Sequence, residues 1–168
     1  MDITRVTPFI QSVHHVFETM LQLPVEVGEP QWMGPDATPS DVSVVAGMSG
    51  DCEGSVALGL DRETAERVIA LFTGTEAACH SPVFADAVSE LFCMICGGAK
   101  AWLPGRALSI SIPTVEFGTT PMAAPARNGA PVIVLPCATD YGQFLISLSL
   151  EEPAEAADRG GRAVCAGA

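Results

Sequence analysis

SPVFADAVSELFCMICGGAKAWL, residues 81–103, is the stretch on which the fold turns. Ser81 offers a capping hydroxyl, and Pro82 stands at the first helical position, where its missing N–H costs nothing. Wound at 3.6 residues per turn, the run to Leu103 sets Phe84, Ala87, Val88, Leu91, Ile95, Ala99 and Trp102 on one apolar stripe, which should face a core. On another face Asp86, Glu90, Cys93, Gly97 and Lys100 follow at steps of four, three, four and three, a nearly straight ridge. Such a ridge is either an ordinary solvated face or a surface that meets something. Gly97-Gly98 costs the helix roughly 1 kcal/mol per glycine relative to alanine, which predicts close approach of another backbone, internal or external.

Cys93 and Cys96 form a CxxC pair, but in mid-helix. A redox pair gains from a helix N-terminus that lowers the thiol pKa, and Glu90, one turn away, works the other way. A zinc site would need Cys79 and His80 in addition, and a rigid helix presents two thiolates poorly. Small apolar filler is the simpler reading of both cysteines. His14 and His15 are neighbours on another helix and point to different sides, so they are no paired site.

Outward from this helix, Thr4 to Leu23 shows apolar residues at helical spacing and stops at Pro24. Val25 to Val27 reads as a short strand, and Gly28 to Ser40 as a loop too polar and broken for a regular element. Val42 to Met48 and Ser55 to Leu60 read as a hairpin turning at Ser49-Gly50-Asp51. Asp61 should cap a helix to Phe72, with Gly74 as its stop. After the long helix come a strand from Leu108 to Phe117, a loose loop from Gly118 to Ala130, and a second hairpin, Val132 to Ala138 and Gln143 to Leu150, turning at Asp140-Tyr-Gly142. The tail from Glu151, rich in Ala, Gly, Glu and Arg, reads as disordered. Hairpins with helices grouped between them predict an α+β domain over residues 1–150, its antiparallel or mixed sheet packed against three helices.

Composition narrows the function. With 168 residues, 48% of them apolar, the chain suits one domain with a substantial core. Eight basic against twenty acidic residues, a net charge of −12, argue against nucleic acid and against an anionic membrane surface. MDITRVTPFIQSV has none of the marks of a secretory signal, so the expected location is cytoplasmic, and the six cysteines (Cys52, Cys79, Cys93, Cys96, Cys137 and Cys165) read as free thiols. No GxSxG, HExxH, Walker or GxGxxG pattern occurs, which removes most motif-defined enzyme classes.

PFIQSVHHVFETML, GMSGDCEGSVALGL, DAVSELFCMICGGAKAWL, SISIPTVEFG and PVIVLPC, in this order and spacing, resemble the CheX branch of the CheC/CheX/FliY chemotaxis phosphatases over roughly residues 1 to 150. The resemblance implies a CheC-like fold and pairing into a homodimer through sheet edges. It implies a partner, a phosphorylated CheY-type receiver domain that supplies the aspartyl phosphate and the Mg²⁺, so that this chain itself holds no cofactor and no metal. On that pattern Asp86 and Glu90 match, Glu90 pairing with a receiver lysine, while Ser89, Gly97 and Lys100 join Asp86 in contacting the receiver. Pro113 resembles a downstream proline of the pattern. Cys93 stands where the family carries the Asn that orients the attacking water. A carboxamide can both donate to and accept from one water, whereas a thiol does neither well. The resemblance therefore leaves two outcomes: an aspartyl-phosphate phosphatase in which Cys93 or a neighbour serves the Asn function, or a receiver-binding module without activity. A thiol or metal sensor on Cys93 and Cys96 is a third class.

Overall fold

Both hairpins form, and they meet at the centre of one sheet. The computed structural model describes residues 3–33, 39–103, 107–121 and 131–151. β3 (Pro39–Gly50) and β4 (Glu53–Leu60) make the first hairpin, and β7 (Val132–Thr139) and β8 (Gly142–Glu151) the second. Four short or edge strands complete the sheet: β1 (Glu26–Val27), β2 (Gln31–Trp32), β5 (Leu108–Ile110) and β6 (Thr114–Pro121). The order is β1-β7-β8-β4-β3-β5, with β2 also on β7 and β6 also on β3, and every pairing is antiparallel. The second strand of each hairpin lies inside, Val56 opposite Leu148 and Leu58 opposite Ile146, and each outer strand carries two further partners on its free side, β1 and β2 on β7, β5 and β6 on β3.

Alternation along these strands makes one face apolar. Val42, Val44, Ala46 and Met48, then Val56, Leu58 and Leu60, then Phe144, Ile146 and Leu148 are all buried. Against them pack α1 (Thr7–Val16), α2 (Arg62–Thr73) and α3 (Pro82–Ala101), which bring Phe9, Val13, Val68, Ile69, Phe84, Leu91 and Ile95 into the same core. Each large side chain so buried contributes about 1.5–3 kcal/mol, which is what holds helices of modest intrinsic propensity in place. The expected α+β class, with an antiparallel sheet against three helices, is the observed one.

The boundaries differ where tertiary partners decide them. The first helix is composite: a 3₁₀ turn at Ile3–Arg5, α1, then a π-helical turn at Phe17–Leu21 that ends in left-handed Gln22 (φ 51°), the Leu23 N–H donating to the Phe17 carbonyl at 3.0 Å. The wider turn breaks the helical phase. Phe17 still stacks on Phe144, with centroids 5.0 Å apart, but Met20, one of the apolar residues at helical spacing between Thr4 and Leu23, is exposed. β2 lies within the stretch expected to be an irregular loop, because Gln31 and Trp32 find partners in Val134 and Ile133. The single strand expected from Leu108 to Phe117 is two strands separated at Ser111–Pro113. β6 runs on to Pro121, into the expected loose loop, and Glu151, expected to begin the tail, ends β8 opposite Glu53. Residues 122–130 of that loop and 152–168 of the tail lie outside the described residues.

Candidate functional site

α3 is built as its sequence suggests. The Ser81 hydroxyl accepts the Phe84 N–H at 3.2 Å, Pro82 follows in the first turn, and Lys100 in the last turn lies at the negative end of the helix dipole. Phe84, Ala87, Val88, Leu91, Ile95 and Ala99 are buried, and so are Phe92 and Cys96. By length and composition alone α3 could cross a bilayer, but here its apolar stripe is the core's own. Trp102, expected on that stripe, is 52% exposed. The helix has ended one residue earlier, and at φ −92° and ψ 1° Trp102 leaves the helical phase that placed it inward.

The two glycines answer to different neighbours. A Cβ on Gly98 would run into the Ser12 side chain of α1, whose hydroxyl is buried and donates to the Ile95 carbonyl at 2.6 Å. This is the expected close approach, made by a side chain and not a backbone. A Cβ on Gly97 would meet nothing within 4 Å.

Asp86, Glu90, Cys93, Gly97 and Lys100 are all exposed along one line of α3, and Ser89 is half-buried beside it. Among the described residues, Asp86, Glu90 and Lys100 enter no ion pair or hydrogen bond, whereas Arg62 pairs with Glu66 and Arg67 with Glu63 along α2. Ten residues separate Glu90 from Lys100, about 15 Å of helix, too far for the two to neutralise each other. Val83, one turn before Asp86 on the same line, is 61% exposed, so the ridge begins earlier than its charges do. The helical spacing that defined the ridge already held that signal, but an exposed valine carries no chemistry to draw the eye.

The cysteines separate. Cys96 is 1% exposed, and burial, then the neighbouring Cys93, pushes its thiol up to about 12. A thiol so held is no redox thiolate near neutrality. Cys93 is exposed, not the small apolar filler that was the simpler reading of the pair. Cys79 is buried, and desolvation raises its pKa; His80, in left-handed backbone (φ 71°), lays its ring on Phe117 at 4.5 Å. Among the described residues no three His, Cys, Asp or Glu side chains come together in a way that would hold a metal ion.

The ridge lines neither the cavity of about 580 Å³ beside α2 nor that of about 290 Å³ along β1, β7 and β8. A small molecule would find little to surround it on the ridge, whereas a protein surface could take the whole line at once.

A family model described as "Chemotaxis phosphatase CheX" matches residues 42–138, a span that runs from β3 through α3 to β7. The chain belongs to the CheX family. The solved CheX of Desulfovibrio desulfuricans superimposes with a TM-score of 0.80 at 27% identity, over 88% of this chain and 99% of that one. CheX of Vibrio vulnificus gives 0.79 at 25% identity, again over 88% and 99%. A third CheX fold, in the CheX–CheY–BeF₃–Mg²⁺ complex of Borrelia burgdorferi, gives 0.74 at 22% identity, over 90% of this chain and 100% of that one. No curated protein matches the sequence. The fold is thus the CheC-like one expected of CheX, with α3 as its long exposed-ridge helix.

Proposed function

We propose that this CheX-family chain binds a phosphorylated CheY-type receiver domain along the exposed ridge of α3, Glu90 pairing with a cation of the receiver. The observation that carries this reading is the ridge itself: charged side chains unengaged among the described residues, exposed along one line of a helix, next to a glycine with open space where its side chain would be. The CheX of Borrelia burgdorferi solved with CheY, BeF₃ and Mg²⁺ supports the partner class. The Mg²⁺ belongs to the receiver in this reading, and Asp86, Ser89, Gly97 and Lys100 line the contact. The protein acts in the cytoplasm, where receivers are, as a homodimer joined through a sheet edge.

Hydrolysis of an aspartyl phosphate needs an in-line water held by a group that can both accept and donate. Cys93, exposed one turn from Glu90, occupies the position for that group without its chemistry. Loss of one such positioned donor costs on the order of a hundredfold to a thousandfold in rate. The second reading, a receiver-binding module that hydrolyses little or nothing, rests on this exposed thiol.

The test uses a receiver phosphorylated in Mg²⁺ and follows loss of its phosphate. The wild-type chain should bind the receiver and barely exceed its spontaneous rate, and Cys93→Asn should raise that rate about a hundredfold. Rapid hydrolysis by the wild type would discard the binding-only reading. A chain that neither binds the receiver nor, as Cys93→Asn, speeds its dephosphorylation overturns the proposal.

A further inference from the structure

The break between β5 and β6 is held rigidly. The Ser111 N–H donates to the Gly47 carbonyl at 2.9 Å, and the Gly47 N–H donates to the Ser111 hydroxyl at 2.9 Å, so both groups of one β3 residue grip this one side chain and its backbone. Next to the clamp stands Ile112, 91% exposed, and then Pro113, whose ring fixes its own φ and restricts Ile112 to extended backbone. A scattered exposed apolar residue needs no explanation, but one set between a serine hydrogen-bonded twice to β3 and a proline has restricted backbone freedom.

Its place along the molecule can be read from the two ends of α3. Phe84 packs near Phe117 of β6, ring centroids 6.1 Å apart, while Leu103, just past the helix, shares a small apolar cavity with Leu108 of β5. From 84 to 103 the chain rises about 28 Å at helical pitch, and from 108 to 117 about 30 Å as extended chain interrupted at 111–113. The two segments therefore run side by side in opposite directions and stay in step. Halfway along the strands is 112–113, and halfway along the helix is 93–94. By this reckoning Ile112, between the edge strands β5 and β6, falls at about the height of Cys93.

We propose that Ile112 is an apolar anchor for the receiver, seated against apolar surface bordering the receiver's phosphorylation site while the ridge of α3 meets the site itself. The inference rests on the receiver-binding reading above. The occupant is the receiver because the anchor is level with the ridge position expected to face the phosphoryl group. Val83, exposed at the head of the ridge, adds apolar area to the same contact. Burying an isoleucine side chain that is fully exposed in the free protein contributes to affinity and nothing to the chemical step.

The test measures affinity for a beryllofluoride-activated receiver, and kcat and KM on the Cys93→Asn background. Ile112→Ser should weaken binding tenfold or more and raise KM to match, with kcat unchanged and the melting temperature unmoved, because the side chain packs against little in the free chain. Ile112→Leu should restore most of the affinity. If Ile112→Ser binds like wild type while Glu90→Ala binds weakly, the anchor is refuted and the receiver-binding reading stands. If the wild-type chain binds no receiver at all, both fall.

Discussion

Gly97 and Gly98 are identical in sequence terms and opposite in consequence. Gly98 lies against Ser12, and a methyl group there must displace the hydroxyl that donates to the Ile95 carbonyl. Gly98→Ala should lose about 1–3 kcal/mol of stability by overpacking, outweighing the gain in helix propensity. Gly97 has open space, so Gly97→Ala should stabilise the free protein by up to about 1 kcal/mol in urea or thermal unfolding. The same substitution should weaken receiver binding if a partner backbone fits against that position. Greater stability with lower affinity is the signature of a glycine kept for a partner, and loss of stability by Gly97→Ala would contradict it.

Among the elements, α2 shows how much local sequence can settle. Asp61 caps it twice over, accepting the Thr64 N–H at 2.8 Å and the Thr64 hydroxyl at 2.7 Å, and Gly74 closes it in left-handed backbone (φ 75°). Asp61→Ala should cost about 1–2 kcal/mol in a denaturant titration, more than an isolated cap, because the buried Thr64 hydroxyl loses its partner as well. Such caps and the alternation of the hairpin strands were legible because the cause lies within a few residues of the effect. β2 was not, since two residues make a strand only when β7 offers its edge, and the split of β5 from β6 depends on a clamp to Gly47, 64 residues away in sequence. The ridge of α3 was legible for the same local reason, from helical spacing. That Cys93 lies outside and Cys96 inside follows from spacing too, but CxxC invites reading the pair as a unit.

For the molecule as a whole, buried thiols set an upper pH limit. Cys96 and Cys137 both have their thiols raised from 9.0 to about 12, in each case chiefly by burial. The unfolded chain ionises these groups near 9 and the folded chain resists until near 12, so the unfolded state binds fewer protons across that window and stability falls as pH rises. The contribution is complete below about 9 and lost progressively toward 12. The urea midpoint should drop over that range, and Cys96→Ala should flatten part of the slope. A midpoint unchanged between pH 9 and 11 would contradict the burial of both thiols.

The sheet order also dictates a sequence of events during folding. Each hairpin pairs neighbours in the chain and can form within microseconds of collapse, but β4 and β8, the central seam, join residues roughly ninety positions apart. Closing that loop brings its entropy cost before the core can repay it. α3 lies inside the loop, so the apolar stripe that orients its ridge has no finished surface to settle on until the seam zips. The helix proposed to meet the receiver is thereby among the last elements to be fixed, and a chain still emerging from the ribosome, with β8 yet to be made, does not yet have that proposed surface to offer.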